Sequence, residues 1–301
     1  MSAIPLRILV TGTTGQIGGE ILSLLSPSAT IFAPSRTDLD LADESSIRRY
    51  VQRTQPQWIV NTAAYTAVDK AETEPGVAHA INGEAPRIFG EEARKLHASV
   101  IHFSTDYVFD GTSPRPYVET DATAPINVYG QTKLAGEWGL AESGARHLIL
   151  RTSWVYGATG KNFLLSILRM ASERATSGDP LRVVADQHGA PTWSHDLARL
   201  TAHILATRPE LSEVGGTYHA TASGETTWHG FAESALNLVT QSNPSATFAP
   251  LSPIASAEYP TVARRPANSR LNCNKLAEKI HFTFPHWSAS LAKVAATLCH
   301  V

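Results

Sequence analysis

Arg7-Ile8-Leu9-Val10-Thr11-Gly12-Thr13-Thr14-Gly15-Gln16-Ile17-Gly18 is a short apolar run that ends in a glycine-rich turn. An apolar helical pattern follows through Ile21, Leu22, Leu24 and Leu25, and Pro27 stops it. Strand, glycine turn and helix in this order cradle a dinucleotide pyrophosphate: the glycines let the backbone approach, and the helix N-terminus faces the phosphates. The spacing is G-x-x-G-x-x-G rather than G-x-G-x-x-G, so a purely structural glycine turn is the competing reading. Its setting between a strand and a helix favours the cofactor, with Gly12, Gly15, Gln16, Ile17 and Gly18 as the expected contacts.

The next segments continue a β-α alternation. Thr30-Ile31-Phe32-Ala33-Pro34 reads as a second strand, with Ser35-Arg36 just beyond it. An NAD-specific site would usually place an acid there to hold the ribose hydroxyls. Ser35 and Arg36 instead suit a 2′-phosphate, so the reading leans to NADPH, with NADH the alternative and a solvated loop residue the competing reading of Arg36. Asp40-Leu41 follow, a helix runs through Ile47, Tyr50 and Val51, and Trp58-Ile59-Val60-Asn61 makes a third strand. Thr62-Ala63-Ala64-Tyr65 leaves it with small residues. Close backbone approach to a cofactor and tight strand-to-helix packing explain that composition equally well.

A helix from Glu84 to Leu96 returns the chain to the buried strand Ser99-Val100-Ile101-His102-Phe103. Thr105 and Asp106 should emerge at its C-terminal edge, where open parallel sheets bind ligands. Tyr129 and Lys133 lie four apart in a proline-free segment of good helix formers, and such a pair shares one helix face. A free phenol has a pKa of about 10, so bringing it to neutrality needs about 4 kcal/mol of differential stabilisation. A nearby ammonium in a site of reduced dielectric supplies much of that, and Thr105 can hydrogen-bond the same substrate oxygen.

His147-Leu148-Ile149-Leu150-Arg151 is a further strand that delivers Trp154 to the same edge, as a ligand wall or as a core aromatic. Beyond residue 157 the simple alternation breaks down. Helices from Asn162 to Ala171 and around Leu197–Leu205 and Trp228–Val239 mix with short strands at Leu181–Val184 and Thr217–His219. A proline-rich stretch runs from Pro250 to Pro266. The fold class is therefore α/β: a Rossmann-like doubly wound parallel sheet with a smaller, discontinuous C-terminal substrate lobe. Residues 1–157 form the first part, with about 192–220 returning to it, and 158–191 and 221–301 form the lobe.

Composition narrows the function. In 301 residues, 43% hydrophobic and 17% charged, a net charge of −2 and no Lys/Arg run give no reason to expect nucleic acid. No apolar run is long enough to cross a bilayer, no signal peptide is recognisable, and Cys273 and Cys299 have no metal or redox spacing. A cytoplasmic, reduced protein is expected. The twelve histidines form no metal signature, and there is no G-x-S-x-G elbow.

Taken together, the motifs resemble the extended short-chain dehydrogenase/reductases and, among them, the family of dTDP-4-dehydrorhamnose reductases. The resemblance rests on Gly12-x-x-Gly15-Gln16-x-Gly18, Val60–Glu72, Ser104-Thr105-Asp106-Tyr107-Val108-Phe109-Asp110-Gly111 and Tyr129-Gly130-x-x-Lys133-Leu134-Ala135-Gly136-Glu137. It continues in Arg151–Tyr156, Asp186-Gln187-x-Gly189-Ala190-Pro191-Thr192 and Arg264-Arg265-Pro266-x-Asn268-Ser269. It implies NADPH-dependent reduction of the 4-keto group of dTDP-4-dehydro-L-rhamnose, a step toward the rhamnose of cell-surface polysaccharide. It places Gly15, Gln16 and Ile17 along the pyrophosphate, Asp40 and Leu41 near the adenine, and Ala63, Ala64 and Tyr65 near the inner ribose and phosphate. Tyr129 becomes the proton donor and Lys133 the ribose ligand that depresses its pKa. Thr105, Asp106 and Trp154 meet the sugar, and Arg264, Arg265 and Asn268 become nucleotide contacts.

The implied partner is a small sugar nucleotide, with a homodimer left open. A 4,6-dehydratase needs an Asp-Glu pair after the threonine, whereas Asp106 is followed by Tyr107. An epimerase, and a non-catalytic NADP-binding subunit like that of methionine adenosyltransferase, are the readings that remain. Magnesium is associated with some members through acidic side chains at a subunit contact. Glu20 is available here, but His195 stands where an acid is expected, so no metal ligands are assigned and magnesium stays open.

Overall fold

The computed structural model of the chain describes residues 5–25, 29–207 and 211–298. Pro27, expected to stop the first helix, and Cys299 lie outside the described residues. The first half alternates strand and helix: β1 (Leu6–Thr11), α1 (Gln16–Leu25), β2 (Ala29–Phe32), α2 (Glu44–Thr54) and β3 (Trp58–Asn61). Short helices α3 (Val68–Ala71) and α4 (Pro75–His79) then run through a π-helical turn at Ala80–Glu84 into α5 (Ala85–Leu96). Pro86 has no backbone N–H to give to the preceding turn, a local reason for the wider winding there. β4 (Ser99–Thr105), α6 (Val128–Glu142) and β5 (Arg146–Thr152) complete this half.

The second half carries β6 (Val155–Tyr156), α7 (Phe163–Glu173), β7 (Leu181–Val184), β8 (His188–Gly189) and β9 (Thr192–Trp193). It continues through α8 (Ser194–Thr207), α9 (Leu211–Val214), β10 (Gly216–His219), β11 (Thr226–Thr227), α10 (Trp228–Ser242), β12 (Leu251–Ile254), α11 (Asn274–Ile280) and α12 (Trp287–Leu298).

Six strands form one sheet in the order β10-β5-β4-β3-β1-β2, and every pair in it is parallel. Side chains alternate between its faces. Ile8, Val10, Trp58, Val60, Ile101 and Phe103 join one core with Ile21 of α1 and Leu197 and Ile204 of α8. Leu9, Ile59, Val100 and Ile149 join the other with Ile47 and Val51 of α2 and Ile88 and Phe89 of α5. Helices on both faces of a parallel sheet make an α/β, Rossmann-like doubly wound fold.

The chain order reverses between β1 and β3, and that reversal opens the crevice at the strands' C-terminal ends. The remaining elements gather around separate apolar clusters, one built on Tyr156, Phe231, Trp287 and Leu291, another on Ile167, Val183 and Leu236. The expected lobe boundary at 221–301 meets one difference. Leu276 and Ile280 of α11, with Phe284, pack into the core under the main sheet, because Lys275 ties α11 to the Thr217 carbonyl of the sheet-edge strand β10 at 2.7 Å. Among the described residues no helix is long and apolar enough to cross a membrane.

The glycine turn is fastened to the exit of β3. Gly12 has φ +70°, and a Cβ added there would lie 2.8 Å from the Ala63 backbone. A Cβ on Gly18 would lie 2.3 Å from the Gly12 carbonyl oxygen and 2.7 Å from Thr62 Oγ1. The packing reading of the small residues at 62–64 has its counterpart here: Thr62 and Ala63 stand against the turn. In an ordinary helix interior Gly→Ala stabilises by about 1 kcal/mol. Gly18→Ala here should instead destabilise by about 1–3 kcal/mol through overpacking. Urea unfolding checks the sign, and an unchanged or higher midpoint would contradict the close packing.

Candidate active site

α1 begins at Gln16 with no acidic residue in its first turn, so its free N–H groups face the crevice without a competing carboxylate. Gly15 is exposed at the tip of the turn, and its N–H donates to the Gly12 carbonyl at 2.9 Å. An exposed glycine beside an open helix N-terminus fits a pyrophosphate. The Gln16 side chain also reaches across the cleft: its Oε1 accepts from Asn162 Nδ2 at 3.0 Å, and Asn162 caps α7 by accepting from Leu165 N. Beyond β2, Asp38 accepts from the Ser35 backbone and hydroxyl at 3.0 and 2.6 Å, which holds its carboxyl below the usual range. Arg36 is exposed and makes no hydrogen bond or ion pair with a described residue, so its guanidinium is free for a 2′-phosphate. Asp40 accepts from Ala42 N in a surface turn, and Leu41 packs against the core under α2.

Tyr65 is positioned by Asn82, a buried residue of the π-helical turn that sequence reasoning missed. Asn82 Oδ1 accepts from Tyr65 N at 2.8 Å, and Nδ2 donates to Tyr65 O at 3.1 Å and Thr132 Oγ1 at 3.2 Å. The Tyr65 hydroxyl donates to Glu74 at 2.7 Å, so the ring stands fixed beside Ala63 and Ala64.

β4 ends at the residues expected to carry acid-base chemistry. Thr105 and Asp106 are 5% and 3% exposed, and Thr105 Oγ1 donates to Asp106 Oδ1 at 3.0 Å. Burial pushes the Asp106 carboxyl up to about 6, with Ser269 and Thr105 pulling the other way. Its Oδ2 is buried without a hydrogen-bond partner, an acceptor that a ligand hydroxyl would satisfy. Tyr129 enters from the first turn of α6, which Asn127 caps by accepting from Gly130 N at 2.8 Å. Its ring meets Tyr107 edge-on at 5.7 Å. Burial pushes the Tyr129 phenol up to about 12, opposed by hydrogen bonding to Thr105 and reinforced by the Asp106 charge.

Lys133 lies one turn further along α6, but it does not act on Tyr129 in the expected way. Its ammonium is 1% exposed and donates to the Phe103 carbonyl at 2.6 Å, with His102 Nε2 at 3.2 Å. Burial lowers its pKa to about 8, opposed by Glu137. Glu137 is itself held by Arg151 (2.6 Å) and Ser104 (2.5 Å).

On the lobe side, Trp154 adopts φ +49° and stacks on Trp228 of α10 at 3.6 Å, with Gly189 leaving room for its indole. A non-glycine residue in the left-handed region at a site is a mark of imposed geometry. Trp154 is thus half of an aromatic pair, and Trp228 is the half that local spacing could not show. Arg265 Nη2 binds Asp69 at 2.7 Å, while Nη1 is buried and unpartnered. Asn268 differs from expectation. Its Nδ2 donates to the Ser113 and Arg115 carbonyls, and its Oδ1 accepts from Arg270 N and Nε, so its amide has no group left for a nucleotide. Arg264 is exposed, and its carbonyl accepts from the α6 cap Asn127. Glu20 accepts from His195 Nδ1 at 3.0 Å, and among the described residues no third His, Cys, Asp or Glu joins them.

The family model of the RmlD substrate binding domain matches residues 6–299. A dTDP-4-dehydrorhamnose reductase of Burkholderia thailandensis is 43% identical over 291 residues, which cover 94% of this chain and 95% of that one. The crystal structure of a dTDP-4-dehydrorhamnose reductase from Clostridium acetobutylicum superposes with a TM-score of 0.88 at 31% identity, covering 97% of this chain and 99% of that one. That of the Bacillus anthracis reductase in complex with NADP gives 0.87 at 32% identity, with the same coverage. The chain belongs to the dTDP-4-dehydrorhamnose reductase family of oxidoreductases.

Proposed function

We propose that this protein reduces the 4-keto group of dTDP-4-dehydro-L-rhamnose with NADPH, giving dTDP-L-rhamnose for polysaccharide synthesis. The observation that carries the reading is the gathering of Thr105, Asp106, Tyr129 and Lys133 at one sheet edge, beside a glycine turn open to a pyrophosphate. When bound, NADPH supplies a hydride to C4 of the sugar. The C4–O π electrons move onto oxygen, which takes the Tyr129 proton, and the phenolate is refilled from solvent. Because burial keeps Tyr129 a phenol, the group is in its donor form at neutral pH. Thr105 orients the same oxygen, and Asp106 Oδ2 accepts from a sugar hydroxyl. Lys133 has one ammonium hydrogen left after Phe103 and His102, and that hydrogen serves a cofactor ribose hydroxyl.

The aromatic pair Trp154–Trp228 walls the sugar, and Arg265 Nη1 takes a nucleotide phosphate. The lobe of 158–191 and 221–301, apart from the α11 segment that packs under the sheet, thereby becomes the substrate side. Arg36 selects the 2′-phosphate, and the NADP complex of the Bacillus anthracis relative supports that choice.

NADPH absorbance with dTDP-4-dehydro-L-rhamnose should show sustained oxidation, and Tyr129→Phe should lower kcat by about 10²–10⁴-fold. Cofactor binding without turnover would sink the enzyme reading. Arg36→Ala should raise KM for NADPH about tenfold and leave NADH unchanged, since it removes one charge-assisted contact. Lys133 is charged below about 8 and neutral above it. The rate should therefore fall as pH rises through about 8. Lys133→Arg, which stays charged, should lose that limb in whatever activity it keeps.

A further inference from the structure

Thr11 ends β1, Asn61 ends β3 and His102 lies in β4, and the register pairs Thr11 with Asn61 and Asn61 with His102. All three point to the face that carries Leu9, Ile59 and Val100, and each is at most 2% exposed. Polar side chains in the centre of a parallel sheet are expensive unless their hydrogen bonds are complete. Here they form one row. Thr11 Oγ1 lies 2.7 Å from Asn61 Oδ1, Asn61 Nδ2 lies 3.1 Å from His102 Nδ1, and His102 Nε2 lies 3.2 Å from Lys133 Nζ. The row runs from the glycine turn of the cofactor cradle to the lysine of the reaction centre.

A neutral imidazole has one N–H and one lone pair, so its two neighbours cannot both donate to it. With the Asn61 nitrogen toward His102, the imidazole proton sits on Nε2 and Lys133 must accept it, as only the amine can. Thr11 is then complete, giving its proton to Asn61 and accepting from Ala63 N at 3.3 Å. With the Asn61 amide turned over, the proton sits on Nδ1 and Nε2 accepts from a Lys133 ammonium, at the expense of an acceptor for the Thr11 hydroxyl. The row therefore has one arrangement for each charge state of Lys133.

We propose that His102 is a positioning residue that switches tautomer as Lys133 changes charge and so keeps the lysine in place in both states. The row itself needs only the contacts above; its catalytic consequence rests on the reductase reading. The other ionisable groups facing the pair are Glu137 on α6, which favours the ammonium, and His147 on β5, which disfavours charge on His102. Glu137 is neutralised by Arg151.

The test is a titration of the whole protein labelled with ¹⁵N-histidine, with the His102 ring signals assigned by their loss in His102→Gln. The expected result is a change from the Nδ1–H to the Nε2–H tautomer as pH rises through about 8, absent in Lys133→Met. One unchanging tautomer from about pH 6 to 10, or the same step in Lys133→Met, overturns the proposal. In turnover, His102→Leu should lower kcat by up to about 10²-fold with KM little changed, and His102→Gln should recover most of it. A wild-type kcat and pH profile in His102→Leu also overturns it. If the tautomer step appears but no NADPH is oxidised, the row stands and the reductase reading fails.

Discussion

The close approach of the glycine turn to the exit of β3 fixes everything downstream of it. Gly12 has no room for a side chain because Thr62 and Ala63 already stand there, and Gly18 has none because the Gly12 carbonyl and Thr62 do. Thr62 Oγ1 donates to the Thr11 carbonyl at 2.6 Å, which locks the two strand ends together at the point where strand order reverses. With that floor in place, the N-terminus of α1 and the ends of β4 and β5 face one crevice. A methyl group at position 18 would displace α1 and its N-terminus.

The electrostatics of the crevice follow from burial more than from pairing. Burial raises Asp106 and Tyr129, and it lowers Lys133. Each shift favours the neutral form, as low polarity requires. The crevice therefore holds a protonated phenol and a lysine close to losing its charge. The expectation that the Lys133 ammonium supplies much of the depression of the Tyr129 pKa took the i, i+4 spacing as a contact. The spacing puts both on one helix face, but the Phe103 carbonyl and His102 draw the ammonium toward β4.

What the sequence shows and what it hides divide along local and non-local lines. The strands, the glycine turn, Thr105 and the Tyr129–Lys133 helix are legible because period-2 and period-3.6 patterns and turn glycines are local signals. Trp228, Asn82, His102 and Asp69 are not legible, because each acts on a partner far along the chain. Trp154 and Trp228 are separated by the whole of α7 to β11, and no spacing rule joins them. Asn268 misleads for the same reason. Its motif suggests a ligand, yet its amide closes the turns at Ser113 and Arg115 and orders Arg270, which pairs with Glu225 at 2.9 Å.

Those long-range ties also explain why the site needs the whole chain. Asp69 accepts from Ala263 N and Arg265, Asn127 donates to the Arg264 carbonyl, and Gln16 holds Asn162. Three residues of the sheet side thus grip three points on the later segments, and each lies beside a proposed ligand group: Arg265, Tyr129 and the pyrophosphate turn. Asn127 illustrates the economy of the arrangement. One side chain caps the helix that carries Tyr129 and Lys133 while its amide nitrogen fastens the segment that carries Arg265. The orientation of Tyr129 and the placement of Arg265 therefore depend on the same buried amide.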